Sequence, residues 1–309
     1  MKIACISRAP SQGPAKRSPA TPEKTTNEES KMTMTSIPAQ SLLMATRRKH
    51  PFSILIRSAL VCGLVLGNTT APAQAGYSPP MNGLVAWWRG DGNANDSVGG
   101  HDGNPFGAMT YVPGKFGQAF SIGDGGILIP DSSAFQLTHS LTIGLWMKPT
   151  PDSWVAFFRG DARPGFDPYA ISMDRGNIGK VGLQITDASN NTKFLAAPIA
   201  GWNVWQQVTG TLDDATGAMR LYINGNLVAE DTTTIRPFGA LHPAQQPGVA
   251  IGNATPPYDF PFQGVLDEVV LYSRALSPSE IASLVPEPST GSLLALSLSA
   301  LLVLRTRRG

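Results

Sequence analysis

Between Gly83 and Ser273 the chain alternates between short apolar runs and clusters of Gly, Pro, Asn and Asp. Eleven runs read as strands: Leu84–Trp88, Gln118–Ile122, Gly126–Ile129, Leu141–Lys148, Trp154–Arg159, Tyr169–Met173, Lys180–Ile185, Trp205–Thr211, Met219–Ile223, Gly248–Gly252 and Gly264–Tyr272. In Leu141–Lys148 the period is two, so Leu141, Ile143, Leu145 and Met147 share one face while Thr142, Gly144, Trp146 and Lys148 share the other. Met219, Leu221 and Ile223 alternate with Arg220 and Tyr222 and lead into Asn224-Gly225. Both central residues of a type I′ turn need positive φ, which Asn and Gly supply, so Leu227–Glu230 is expected to return beside this strand. One helical turn follows the last strand. Ser277 is its N-cap, Pro278 opens it, Glu280 completes a capping box, and Ile281 and Leu284 are expected to pack back on the sheet. So many short strands without regular helices between them predict an all-β fold of two antiparallel sheets face to face. No internal repeat is evident, and about 200 residues fit one sandwich.

The two ends follow other patterns. Residues 44–75 begin with a basic head (Arg47, Arg48, Lys49), continue with an apolar run from Ser58 to Gly67 and end in Ala73-Gln74-Ala75. That run is too short to span a bilayer, and the small residues at Ala73 and Ala75 suit a signal peptidase, so this segment is expected to be a secretory signal peptide cut before Gly76. Arg47-Arg48 invites a twin-arginine reading, but His50-Pro51 replaces the apolar residue expected next, which favours ordinary secretion. Residues 1–43 are polar, aperiodic and precede a head that normally starts a chain; they read as disordered or as a mispredicted start ahead of Met44, Met32 or Met34. At the other end, Val285-Pro286-Glu287-Pro288-Ser289 precedes 14 apolar or small residues, Gly291 to Leu304, and then Arg305, Arg307 and Arg308. A helix of that length is ~21 Å, short of the ~30 Å hydrocarbon core, so it is expected to insert transiently with its arginines in the cytoplasm.

Composition agrees with the strand reading. Gly (32) and Pro (26) are too frequent among 309 residues for a helical bundle, and charged residues (15%) too scarce for a disordered chain. The net charge of +2 conceals segregation: residues 76–284 carry eleven Lys/Arg against eighteen Asp/Glu, and the excess of basic residues lies at the ends. An acidic body repels phosphate backbones, which argues against nucleic acid as a partner. Cys5 and Cys62 both lie in segments expected to be absent from the mature protein, which leaves it no disulfide and no thiolate.

Four blocks carry a resemblance: GLVAWW…DSVGGHDG, GKFGQAFSIGDGGILIPDSSAFQLTHSLTIGLWMKP, WNVWQQVTGTLDDATGAMRLYINGNLVAE and FQGVLDEVVLYSRALSPSEIASL. They resemble the laminin-G-like jelly roll of the concanavalin A-like lectin/glucanase superfamily over residues 82–284. The C-terminal order resembles the PEP-CTERM sorting signal of Gram-negative bacteria. That resemblance implies an exosortase that recognises Pro286, Glu287 and Pro288 and removes the tail; a plain membrane helix would leave it attached. The first resemblance implies a two-sheet jelly roll over residues 76–284, often with one structural calcium, and glycan or protein binding outside the cell. Fold alone does not decide function.

Related jelly rolls include glucan hydrolases, which need paired carboxylates on one strand face. The domain's glutamates, Glu230, Glu268 and Glu280, have no acidic partner at that spacing, and Asp267 and Glu268, being adjacent, are expected to face opposite ways. His101, His139 and His242 sit beside turn residues, and no GxSxG is present. Asp91-Gly92-Asn93-Ala94-Asn95-Asp96, with Asp102 twelfth from Asp91, mimics an EF-hand loop but lacks its glycine, its terminal Glu and its flanking helix. In the resembling family a calcium often ties the first strand to the last, which implies Asp91 and Asp267 as ligands with a carbonyl near Gly126; Asx turns are the alternative. A glycan surface needs aromatic rings among polar groups. Phe166 in Asp161–Pro168, and Tyr258 and Phe260 in Asn253–Pro261, are candidates, and Trp154 and Trp202 can add to them; Trp87, Trp146 and Trp205 suit packing. The sequence therefore predicts a secreted, non-catalytic module at the cell surface or in the extracellular matrix, for glycan or surface-protein recognition. A glycan-cleaving enzyme and a passive matrix protein are the alternatives.

Overall fold

The alternating runs pair into two antiparallel sheets in the computed structural model, which describes residues 76–286. The segment expected to be a signal peptide, with Ala73 and Ala75, and the segment beyond Pro286 expected to be a sorting signal lie outside the described residues. The strands are β1 (Leu84–Trp88), β2 (Asn104–Phe106), β3 (Met109–Pro113), β4 (Gln118–Ile122), β5 (Gly126–Pro130), β6 (Leu141–Pro149), β7 (Val155–Gly160), β8 (Tyr169–Met173), β9 (Lys180–Thr186), β10 (Thr192–Pro198), β11 (Gln206–Leu212), β12 (Ala218–Ile223), β13 (Asn226–Thr232), β14 (Gly248–Ile251) and β15 (Gly264–Tyr272). Sheet A runs β13-β12-β11-β6-β15-β4-β3 with β1 also paired to β15, and sheet B runs β10-β9-β8-β7-β14-β5-β2. The order places late strands between early ones, as a jelly roll requires. All eleven runs read from the sequence are strands, and β13 returns from Asn224-Gly225, whose φ values are 51° and 77°.

The alternation explains the interior. Leu141, Ile143, Leu145 and Met147 of sheet A meet Phe157, Tyr169, Ile171, Leu183, Val249 and Ile251 of sheet B in one buried cluster. Each fully buried side chain of this size contributes about 1.5–3 kcal/mol. The outward residues of sheet A are buried as well. Trp146, Val270 and Tyr272 lie under Tyr77, Phe116 and the helix α1 (Pro278–Ser283). Ser277 accepts from the Glu280 amide and Glu280 answers the Ser277 amide, and Ile281 and Leu284 are fully buried. Trp87, Trp146 and Trp205 belong to this outer cluster rather than to the space between the sheets, where Trp88 sits. Among the described residues no helix is long and apolar enough to cross a membrane.

Candidate functional site

Three loops at one end of sheet B enclose an open cleft of about 230 Å³. Pro151, Asp152 and Ser153 come from the β6–β7 loop, Asp174, Arg175, Ile178 and Gly179 from the β8–β9 loop, and Trp202 from the β10–β11 loop. Each loop is fastened from below. Ser153 Oγ accepts from the Thr150 amide (2.9 Å) and donates to the Gln263 carbonyl (3.0 Å). Fully buried Gln206 accepts from the Ala200 amide (2.8 Å) and donates to the Gly201 carbonyl (3.0 Å), which fixes the turn that carries Trp202. Gly179 has φ +87°, a left-handed conformation that suits glycine, and it packs beside the Trp202 ring, from which a Cβ would stand an ordinary 3.7 Å. Ile178 is 80% exposed at the rim.

An aromatic strip continues from the cleft. The Arg175 guanidinium lies 4.3 Å from the Trp154 ring centre, and Trp154 lies 4.1 Å from Phe260. Phe260 stacks on Tyr258 at 5.8 Å and 9°. Tyr258 donates to the Ala162 carbonyl (2.9 Å) in the opposite loop, where Arg163 lies 3.9 Å over Phe166. Phe166, Tyr258 and Phe260 line one narrow crevice of about 10 Å³, the space of roughly one water. The structure therefore brings Phe166, Tyr258, Phe260 and Trp154 together, and it sets Trp202 in the neighbouring cleft, joined to them through Arg175. Two buried residues shape the strip. Asn253 Oδ1 accepts from the Ala254 and Phe260 amides (2.8 and 2.6 Å), and its Nδ2 donates to Gly125 O (3.2 Å). Asp161 accepts from the Arg163 amide and side chain and from the His242 amide (2.9 Å). Burial pushes the Asp161 carboxyl up, but these donors prevail and hold it below its ordinary range.

Sequence reasoning missed the polar residues beneath this strip. On β8 and β9 the outward positions alternate with core residues, so Ala170, Ser172, Gly182 and Gln184 face away from the sandwich interior. Ser172 and Gln184 are 1% exposed, and Ser172 Oγ and Gln184 Oε1 lack a hydrogen-bond partner among the described residues. Gln184 Nε2 donates to Asp167 Oδ2 (2.5 Å), and Asp167 lines the crevice. Burial raises the Asp167 carboxyl to about 6. Only the register of β9 on β8, which sets Gln184 beside Asp167, reveals this group; no local pattern marks it.

The carboxylates of sheet A are arranged differently from the expectation. A bulge between Asp267 and Val270, with Glu268 at φ +51°, interrupts the alternation, and both carboxyls lie near Tyr77 on the outer side of the sheet. The prediction that Asp267 and Glu268 face opposite ways is thus corrected, because a bulge adds a residue and resets the period of two. Asp267 Oδ2 accepts from the Lys115 and Phe116 amides (2.8 and 2.9 Å), and Trp87 Nε1 donates to Glu268 Oε2 (2.5 Å). Burial raises Asp267 to about 7 and Glu268 to about 8, and each also feels Asp91. Both side chains are sealed from solvent, so they do not form the open carboxylate pair of a glycosidase.

As a test of a calcium site, Asp267 Oδ1 is buried and unpartnered among the described residues, a position that suits a cation. Asp91 Oδ1 accepts from the Gln118 amide (2.9 Å), so Asp91 and Asp267 approach the same β3–β4 turn. Gly126 does not join them. It pairs with Phe106 in sheet B, beyond the far end of β4, a strand of about 13 Å. No group of three or more His, Cys, Asp or Glu among the described residues has metal-holding geometry. Asp96 serves structure: it accepts from the Trp87, Val98, Gly99 and His101 amides at 2.8–3.0 Å. His101 contacts Asp96, His139 contacts Asp214, and His242 Nδ1 accepts from the Ala244 amide, so the three histidines serve separate turns.

Residues 121–282 match the family model described as the Concanavalin A-like lectin/glucanases superfamily. Among solved structures, domain 4 of AbnA, a GH43 extracellular arabinanase from Geobacillus stearothermophilus in complex with arabinotriose, is 26% identical with a TM-score of 0.52; the match covers 66% of this chain and 98% of that one. The binding domain of Paraclostridial Mosquitocidal Protein 1 is 17% identical with a TM-score of 0.50, over 66% of this chain and 52% of that one. The receptor-binding domain of botulinum neurotoxin mosaic serotype C/D is 15% identical with a TM-score of 0.50, over 65% and 50%. The chain spans about half the length of these two toxin domains, and they share the fold. None of the curated proteins matches the chain.

Proposed function

The chain belongs to the Concanavalin A-like lectin/glucanases superfamily, and from that premise we propose that it is a non-catalytic recognition module that binds glycan at the Trp202 cleft. The observation that carries this reading is the cleft itself: an open cavity of about 230 Å³ with an indole on its wall and carboxylates around it. An aromatic face packs on the C–H face of a sugar, and polar groups read its hydroxyls. The likeness to an arabinanase domain in complex with arabinotriose supports a sugar as ligand. Glycan arrays combined with reducing-sugar release test the proposal. Binding without release is expected, and Trp202→Ala should weaken binding at least tenfold. Sugar release would favour a glycan-cleaving enzyme, and neither binding nor release would favour a passive matrix protein.

Export belongs to the same proposal. The order of basic head, apolar run and Ala73-Gln74-Ala75 supports signal-peptidase cleavage before Gly76, and Pro286-Glu287-Pro288 followed by its apolar run and arginines supports exosortase sorting at a Gram-negative cell surface. Mass spectrometry of the exported protein checks both ends: a mature chain that starts at Gly76 and lacks residues 291–309 is expected. A structural calcium held by Asp267 and Asp91 is also proposed, on the strength of the unpartnered Asp267 Oδ1. It would neutralise buried carboxylates and tie the last strand to the first loop.

A further inference from the structure

We infer that the Trp202 cleft selects an uncharged sugar residue and rejects uronates and sulfated sugars; this deepens the glycan-recognition reading and rests on it. A cavity of about 230 Å³ falls below the roughly 300–1,000 Å³ of drug-sized pockets, so it takes one ring rather than a folded oligosaccharide.

Three charged side chains line the cleft: Asp152, Asp174 and Arg175. None of them forms an ion pair with a described residue. Asp152 is exposed, and Asp174 gives one oxygen to the Gly176 amide (3.0 Å). The one guanidinium rests 4.3 Å from the Trp154 ring centre and is outnumbered two to one by carboxylates. An anionic sugar would therefore meet a lining of net negative charge. A carboxylate is acceptor-only, so it cannot bond another carboxylate, whereas sugar hydroxyls donate to it in charge-assisted bonds. The rest of the strip adds no compensating cation, because Arg163 is paired with Asp161. The same acceptors that hold a neutral sugar thus exclude an acidic one, which is specificity by repulsion as well as attraction.

Titration calorimetry of the purified chain with neutral trisaccharides (arabinotriose, xylotriose, maltotriose) and with trigalacturonate tests the inference. At least one neutral probe should bind at least tenfold tighter than trigalacturonate, a difference of about 1.4 kcal/mol. In the double variant Asp152→Asn/Asp174→Asn that ratio should fall toward one, with an unchanged melting temperature. Trigalacturonate binding as tightly as every neutral probe, or a ratio that survives the double substitution, overturns the inference and leaves glycan recognition standing. Absence of binding to all four probes and to a glycan array overturns both.

Discussion

The buried Asp167 carboxyl gives a prediction with a definite sign. Asp167 is 6% exposed, receives one hydrogen bond from Gln184 and has no cation paired to it among the described residues. Loss of water raises its carboxyl from 3.8 to about 6. The native state therefore holds the proton more tightly than the unfolded chain. Its stabilising contribution is complete below pH 3.8 and is lost as pH rises through about 6. A shift of roughly two units at 1.36 kcal/mol each sets the cost of ionising it in the fold at about 3 kcal/mol by neutral pH. Asp167→Asn cannot ionise, and its amide oxygen still accepts from Gln184. At pH 8 the variant should be up to about 3 kcal/mol more stable than the parent, a rise of roughly 6–12 °C in melting temperature for a domain of this size. At pH 4 the two should melt together within about 1 °C. Scanning calorimetry at pH 4, 6 and 8 reads this directly. Equal shifts at pH 4 and 8, or a destabilised variant at pH 8, would refute the reasoning.

Three further outcomes follow from the same geometry. Asp96→Ala should cost about 3–5 kcal/mol in a urea titration, because it strips four amides of their acceptor; since those amides hold the Asp96 carboxyl low against the push of burial, the parent should lose this contribution as pH falls below about 4. Gly182→Ala should destabilise by about 1–3 kcal/mol, because its methyl would stand 2.5 Å from the Leu195 carbonyl and 2.7 Å from the Phe194 ring. Millimolar calcium added after chelation should raise the melting temperature by several degrees, and superimposable curves would end the calcium proposal.

The strands were legible wherever one face meets the interior, since burial imposes a period of two on Leu141–Met147 or Met219–Ile223. Three were not. Residues 104–106 are short and contain Pro105, residues 109–113 are only partly buried, and residues 192–198 lie at the edge of sheet B with hardly any buried position to print a pattern. The aromatic loop was readable because its prolines and rings stand out in Asn253–Pro261. What shapes the site was not: Asn253 and Asp161, under the aromatic strip, and Gln206, under the Trp202 turn, act through backbone groups far along the chain or across a turn. Asp267 and Glu268 misled because a bulge leaves no mark in an otherwise continuous apolar run.

The central claim is that sugar binds at the Trp202 end of sheet B. Its most direct test is an NMR titration of the six indole N–H signals with a neutral trisaccharide. The account predicts that the Trp202 signal moves most, Trp154 follows, and Trp88 and Trp146, buried elsewhere, stay fixed. Saturable binding that leaves Trp202 unmoved, or that shifts Trp87 and Trp205 on the outer side of sheet A instead, would contradict it.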